Sequence, residues 1–127
     1  MINTAQIIAI MLGGGVGALM RYLVSGMVNN KIDSNFPFGT LTVNVIGSFL
    51  MGFLAMWLVE KLGLNSLLRL AIFVGFLGAF TTFSTFSMET LNLFKEDLPI
   101  RALLNMLLNV SFTVLAVWLG AFLGKQL

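Results

Sequence analysis

The chain has 127 residues and a net charge of +2; 58% of its residues are hydrophobic and 9% are charged. Soluble domains carry about 25% charged residues, so this composition excludes an ordinary soluble domain and indicates an integral membrane protein. The chain has no cysteine and no histidine. This excludes disulfides, thiolate or imidazole metal sites and Ser-His or Cys-His catalysis, so we do not expect an enzyme. The cations are few and scattered, so we expect no nucleic-acid partner.

Four apolar blocks separated by short polar loops predict an all-α membrane protein. We expect a single four-span domain that covers residues 1–127. The predicted spans run from Gln6 to Val28, from the Phe36–Thr40 entry to about Val59, from Leu67 to about Phe94, and from Ile100 to about Leu123.

The first predicted span contains closely spaced glycines. Gly13 and Gly17 have the GxxxG spacing that lets a second helix approach closely, and a similar pair recurs in the fourth span at Gly120 and Gly124. The glycine run also fits a dinucleotide-binding pattern, but it lacks the preceding strand and βαβ unit which that fingerprint needs. Arg21 lies near the end of this span, where it either snorkels to the headgroups or forms an electropositive mouth that concentrates anions.

Polar stripes run along the second and fourth predicted spans. The first stripe is Thr40, Asn44, Ser48 and Gly52, and the second is Asn105, Asn109 and Thr113. Residues four apart share one helix face. A side-chain amide at membrane depth needs partners, so Asn44 either bridges helices or donates to something that passes. Donors without fixed positive charge suit an anion that must bind and then leave.

The third predicted span is the most unusual, because residues 75–89 mix glycine, hydroxyl and phenylalanine side chains with the carboxylate of Glu89. As one helix, residues 67–94 would reach about 42 Å, against a hydrocarbon core of about 30 Å. We therefore predict that this helix is broken mid-membrane and lines a route for a small ion. Phe83 and Phe86 share a helix face, and they either serve as packing bulk or present positive ring edges to an anion.

Lysine and arginine are balanced between the two sides of the predicted topology. One side holds Lys61, Arg69 and Lys125; the other holds Lys31, Lys95 and Arg101, joined by Arg21 if that residue belongs there. An excess of cations on cytoplasmic loops normally fixes orientation, and here there is none. Such a chain either inserts both ways and forms an antiparallel homodimer, or has a weak bias that the translocation machinery settles.

Three motifs in order resemble those of the Fluc (CrcB) fluoride channels. They are residues 14–18 followed by Arg21 and Tyr22, residues 36–49 (FPFGTLTVNVIGSF), and residues 78–89 (GAFTTFSTFSME). The resemblance covers essentially the whole chain. It implies a dual-topology antiparallel homodimer in the cell (inner) membrane with two pores for fluoride. Hydrogen fluoride enters uncharged and dissociates inside, so a passive path lets the trapped anion leave.

The resemblance also implies site residues. The expected fluoride pore contains Phe83, Phe86, Asn44, Ser84, Thr85, Asn109, Thr113, Glu89 and Arg21. Asn105 is carried over less directly, because many relatives have an aromatic or hydroxyl residue there. A structural sodium ion is expected at the dimer interface, held by the backbone carbonyls of Gly78 and Thr81, since hard cations take oxygen ligands.

Two other classes of protein remain possible on these residues. A small proton-coupled multidrug exporter also uses four spans and dual topology, but it needs a carboxylate deep in the membrane, and Glu89 is the sole candidate. A non-transporting helical assembly would use the polar stripes as contacts between helices. Fluoride flux through a purified, reconstituted protein separates both classes from a channel.

Overall fold

The computed structural model describes residues 3 to 127. Four helices in it are long and apolar enough to cross a membrane: Thr4–Lys31, Phe38–Lys61, Ser66–Lys95 and Pro99–Gln126. We call them spans 1 to 4. Their ends lie within a few residues of the predicted ones, and the described residues contain no strand. The chain is therefore an all-α, multi-pass membrane protein.

Local signals in the sequence set where three of the spans begin. The Asn3 side chain accepts from the Gln6 amide at 2.9 Å while the Gln6 side chain accepts from the Asn3 amide at 3.0 Å, which forms a capping box before span 1. The Asn65 side chain accepts from the Leu68 amide at 3.0 Å before span 3. Span 4 opens with Pro99, whose missing N–H is not needed at a helix start.

Span 3 consists of two helical parts. The first part is α-helical over Ser66–Arg69, has wider π-type hydrogen bonding over Leu70–Leu77 and ends at Gly78–Phe80. Thr81 and Thr82 follow with extended backbone, and an α-helix begins again as Phe83–Lys95. We call residues 66–80 span 3a and Phe83–Lys95 span 3b. Span 2 also widens to π-type bonding over its last part, Ala55–Lys61.

Glycines bring the backbones of spans 1 and 3a into direct contact. A methyl group added at Gly13 would overlap the backbone carbonyl of Ala71, and one added at Gly17 would overlap that of Phe76. From the other side, a methyl at Gly75 would meet the carbonyl of Ile10 at 2.7 Å. The prediction that Gly13 and Gly17 permit close helix packing is confirmed.

Spans 2 and 4 are joined in the same way. A methyl at Gly120 would overlap the backbone carbonyl of Phe49, and one at Gly124 would meet that of Phe53 at 2.5 Å. On span 2, a methyl group added at Gly52 would overlap the backbone carbonyl of Val117. The second predicted GxxxG pair is thus confirmed as a packing contact, and the molecule contains two helix pairs, 1 with 3a and 2 with 4.

Burial in this fold is the reverse of that in a soluble protein. Large apolar side chains point outward, such as Leu107 at 62% exposure and Trp118 at 67%. The amides of Asn44, Asn105 and Asn109 are buried instead. An apolar outer surface around a polar interior is what a hydrocarbon environment favours, because lipid cannot satisfy polar groups.

Candidate functional site: a polar groove between spans 2, 3 and 4

A groove with a volume of about 360 Å³ opens beside the interruption of span 3. Its lining comes from spans 2, 3 and 4 and includes Asn44, Gly47, Ser48, Met51, Thr81, Thr82, Phe83, Phe86, Asn109, Val110, Thr113, Val114 and Val117. Among residues 3–127, no charged side chain lines it. The polar groups are amides and hydroxyls, which offer hydrogen bonds without holding an ion by a full opposite charge.

Asn44 ties span 2 to the interruption. The Thr82 backbone N–H donates to Asn44 Oδ1 at 2.8 Å, and Asn44 Nδ2 donates to the Thr82 carbonyl at 3.1 Å. Asn44 Nδ2 also donates to Asn109 Oδ1 at 3.1 Å, which reaches span 4. Of the two roles left open for Asn44, this geometry displays the bridge between helices.

Span 4 continues this polar contact away from the groove. Asn109 Nδ2 donates to Asn105 Oδ1 at 2.9 Å, and Asn105 Nδ2 donates to the Thr90 hydroxyl at 2.9 Å. The Thr90 hydroxyl donates in turn to the Phe86 carbonyl at 2.8 Å. Asn105 is completely buried and does not line the groove, whereas Asn109 and Thr113 do.

The two predicted pore phenylalanines lie together but differ in exposure. The Phe83 and Phe86 ring centroids are 5.2 Å apart, with the planes tilted by 60°. Phe86 is 7% exposed, whereas Phe83 is 76% exposed although it lines the groove. Phe83 therefore marks a side of the groove that this single chain leaves open.

Glu89 lies apart from the groove. The Thr40 hydroxyl donates to Glu89 Oε1 at 2.7 Å, while Glu89 Oε2 is buried without a hydrogen-bond partner among the described residues. The carboxylate borders a second, smaller cavity of about 190 Å³ near Asn35 and Glu96. Thr40 and Asn44 belong to the same stripe of span 2, so this stripe contacts both span 3b and the interruption before it.

The other predicted pore residues are less closely associated with the groove. Thr85 is exposed and its hydroxyl accepts from that of Thr82 at 3.0 Å. Ser84 is exposed, and Arg21 is partly buried in span 1. Among residues 3–127, the side chains of Ser84 and Arg21 make no hydrogen bond, and none of the three lines either cavity. Their assignment to a pore stays a prediction.

The backbone around Gly78 and Thr81 has the chemistry of a hard-cation ligand set. In a continuous α-helix the Thr82 N–H would bond the Gly78 carbonyl, but it donates to Asn44 Oδ1 instead. Gly78 is exposed, and a methyl there would meet nothing closer than 3.6 Å. Residues 3–127 contain no cluster of three or more His, Cys, Asp or Glu side chains. Backbone carbonyl oxygens are ligands that sodium accepts, and the sodium site at Gly78 and Thr81 stays a prediction.

Three residues that make important contacts were not among the predicted pore residues. Thr82 caps span 3b, because its hydroxyl accepts from the Thr85 amide at 3.3 Å, and it also lines the groove. A hydroxyl residue just before a helical run is a known start signal and would have indicated this cap. Thr40 and Thr90 bond Glu89 and Asn105, respectively, and such pairings between distant residues have no local signal.

Comparison with known proteins decides the family. Residues 8–121 match the family model described as CrcB-like protein, Camphor Resistance (CrcB). The chain belongs to this CrcB family. Relatives of the chain are named as ion channels, which agrees with the prediction that the chain is not an enzyme.

Three relatives from different bacteria each carry the name fluoride-specific ion channel FluC. The protein of Methylococcus capsulatus is 50% identical over 96% of this chain, but the chain spans about half of that relative, 54% of its length. The protein of Magnetococcus marinus is 48% identical over 94% of this chain and 98% of its own length. That of Nitratiruptor sp. is 44% identical over 98% and 96%, respectively.

Proposed function

We propose that this chain is a passive, fluoride-selective ion channel that lets fluoride leave the cytoplasm across the cell (inner) membrane. The observation that carries the proposal is the groove itself, where two phenylalanine rings meet uncharged amide and hydroxyl groups in a chain whose relatives are named fluoride-specific channels. The whole of residues 1–127 would serve as one four-span channel domain.

The chemistry of the groove suits a small, strongly hydrated anion. Fluoride needs hydrogen-bond donors to replace its water, and the groove offers the hydroxyl of Ser48; that of Thr113 donates to the Asn109 carbonyl at 2.6 Å and would have to rotate to meet an anion. The edges of the Phe83 and Phe86 rings carry partial positive charge and add weak contacts. Because no cationic side chain of the described residues 3–127 lines the groove, an anion would not be held too tightly to leave.

Two observations support a second copy of the chain as the partner. The groove is open where Phe83 is 76% exposed, so another surface is needed to enclose an anion. Lysine and arginine are balanced between the two sides, so both orientations are accessible. We infer an antiparallel, dual-topology homodimer with two pores, in which Arg21, Ser84, Thr85 and Glu89 line the approaches.

The interruption of span 3 would lie mid-membrane at the dimer interface. Non-helical backbone survives at that depth when it is buried in protein or faces a water-filled cavity. We propose that the carbonyls of Gly78 and Thr81 from both copies bind a structural sodium ion there. The ion would supply positive charge and satisfy carbonyls that the interrupted helix leaves without N–H partners.

Anion efflux from liposomes tests the function. Purified protein is reconstituted into vesicles loaded with potassium fluoride or potassium chloride, and valinomycin lets potassium follow the anion. We expect fluoride to leave far faster than chloride without any proton gradient. Equal rates for the two anions, or no flux above empty vesicles, would overturn the proposal.

Two variants and a control sharpen the same assay. Asn44→Asp places a negative charge beside the groove and is expected to repel fluoride, and Phe83→Ile removes an aromatic edge. Ser111→Ala changes an exposed hydroxyl of span 4 that lies outside the groove, so it should conduct like the wild type. Cysteine labelling of the termini from each side of the membrane tests dual topology, and labelling from one side alone would refute it.

A further inference from the structure

A chain of hydrogen bonds runs behind the groove and returns to the helix on which it starts. It leaves the backbone N–H of Thr82, passes through the three buried asparagines and Thr90, and ends on the backbone carbonyl of Phe86. The members, in order, are Thr82, Asn44, Asn109, Asn105, Thr90 and Phe86. Both ends therefore lie in the cap and first turn of span 3b, and the middle passes through spans 2 and 4.

The direction of this chain is fixed by chemistry at both ends. A backbone N–H can only donate, so Thr82 requires the oxygen of Asn44, and the Asn44 nitrogen must then point towards span 4. Asn109 accordingly presents its oxygen to Asn44 and its nitrogen to Asn105.

The same alternation continues to the far end. Asn105 presents its nitrogen to the Thr90 hydroxyl, which donates to the Phe86 carbonyl, a group that can only accept. Reversing Asn44 or Asn109 would place oxygen against oxygen and nitrogen against nitrogen at its neighbours. The Thr82 carbonyl and the Asn105 carbonyl also accept from Asn44 and Asn109, and the side chains of Asn105 and Thr90 add further bonds that favour the same direction.

Asn44 is the member whose orientation matters most to the groove. Its oxygen accepts from Thr82, and its nitrogen donates to both the Thr82 carbonyl and Asn109. These bonds set the position of the residue that caps span 3b, the helix that carries Phe83 and Phe86. A reversed Asn44 would release Thr82 and leave an amide oxygen, which repels anions, free beside the groove.

We propose that Thr90 and Asn105 are positioning residues for the anion path, acting through Asn109 and Asn44. Thr90 is 6% exposed and Asn105 is 0% exposed, and neither lines the groove. Their role is to fix the direction of the amide chain from behind, which holds the cap of span 3b in place. This inference rests on the proposed function, since the anion path is the one assigned there.

The competing explanation is that Thr90 simply fills space between spans 3b and 4. Two substitutions of Thr90 separate the explanations, because each explanation predicts a different variant to have the lower fluoride flux. Thr90→Val keeps the shape and removes the hydroxyl, whereas Thr90→Ser keeps the hydroxyl and removes a methyl group. A packing role tolerates valine and suffers from serine. A positioning role through hydrogen bonds tolerates serine and suffers from valine.

Fluoride efflux from liposomes measures that order. We expect Thr90→Ser to conduct within about twofold of the wild type and Thr90→Val to be about tenfold slower, the rate equivalent of one lost buried hydrogen bond. Ser111→Ala serves as the control on span 4. Wild-type flux in Thr90→Val, or equal losses in the two Thr90 variants, would overturn the proposal.

A double-mutant cycle tests whether Thr90 acts through Asn105. In an Asn105→Leu background the chain of hydrogen bonds is already broken, so Thr90→Val should cause no further loss of fluoride flux. A further tenfold loss in that background would show that Thr90 acts by another route and would contradict the proposal.

Amide hydrogen exchange gives a readout that needs no fluoride flux. Opening of the chain should release the Thr82 N–H, so Thr90→Val is expected to speed its exchange by about tenfold while Thr90→Ser leaves it unchanged. If the wild type passes no fluoride, the proposed function fails. The exchange rate still decides whether the hydrogen bond of Thr90 is coupled to that of the Thr82 N–H. Equal exchange in both variants would refute the coupling.

Discussion

The two parts of span 3 are held to the rest of the protein by different kinds of contact. Span 3a is apolar and lies against span 1 through backbone contacts that glycine permits at Gly13, Gly17 and Gly75. Span 3b carries the hydroxyl groups, and polar side chains bond it to spans 2 and 4. Between them, Asn44 holds the extended Thr82.

This difference has a physical reason. Lipid is as apolar as leucine, so helices in a membrane associate through close packing and through hydrogen bonds rather than by the hydrophobic effect. Span 3a uses close packing, which is rigid and dry. Span 3b uses hydrogen bonds, which leave hydroxyls and amides near a groove. The interruption at Thr81 and Thr82 lets one span combine both kinds of contact.

Cutting the polar attachment should have the largest effect. Asn44→Leu leaves the Thr82 N–H and carbonyl and Asn109 Oδ1 without partners, at about 1–3 kcal/mol for each buried group. We expect a marked loss in the free energy of unfolding and no fluoride flux. Thr42→Val, two residues away, is the control, since among residues 3–127 the Thr42 side chain makes no hydrogen bond. A variant as stable as this control would show that the amide bridge is dispensable.

Disturbing the glycine contact should cost somewhat less. Gly17→Ala places a methyl group on the Phe76 carbonyl, and overpacking of this kind costs about 1–3 kcal/mol. Gly26→Ala is the matched control in span 1, because nothing lies within 4 Å of the added methyl. Thermal unfolding in detergent measures both. Equal melting temperatures would contradict the close approach of spans 1 and 3a.

Removing the cap of span 3b should have a smaller effect. Thr82→Val deletes the hydroxyl that accepts from the Thr85 amide, and a lost N-cap costs about 1 kcal/mol. Thr81→Val is the neighbouring control, since the Thr81 hydroxyl donates only back to its own helix at the Leu77 carbonyl and such bonds add little. We expect Thr82→Val to have the lower melting temperature of the two variants. Equal melting temperatures would show that the cap does not stabilise the protein.

The smallest effect on stability is expected at the groove surface. Within one chain Phe83 is 76% exposed, so Phe83→Ile should change the free energy of unfolding of that chain by no more than about 0.5 kcal/mol. Fluoride efflux through the same variant should nevertheless fall, because the aromatic edge is lost. Normal efflux in a stable variant would show that Phe83 has no part in the path.

Hydropathy and glycine spacing were enough to predict the spans and the glycines at which a second helix approaches closely. Apolar blocks long enough to cross a membrane are a local property, so the predicted ends lie near the observed ones. The four-residue spacing also predicted that Asn44 and Ser48 share one face of span 2 and that Asn109 and Thr113 share one face of span 4, and both faces line the groove. Periodicity assigns such residues to a face without requiring knowledge of the partner helix.

Other features depended on which helices become neighbours. Asn105 has the same spacing as Asn109, yet it is fully buried and bonds Thr90 on span 3b. The hydrogen bond between Thr40 and Glu89 joins residues 49 positions apart, and the sequence around either residue does not predict it. The exposures of Phe83 and Phe86 also differ tenfold although they share a helix face.

The sequence by itself thus determined a four-span, all-helical membrane protein with glycines for close packing on spans 1 and 4 and polar stripes on spans 2 and 4, because length, hydropathy and periodicity are properties of single segments. Tertiary structure alone decided which polar groups bond one another and which face the groove. A hydrogen bond between spans requires two side chains to meet at about 3 Å, and that distance depends on the packing of all the helices at once.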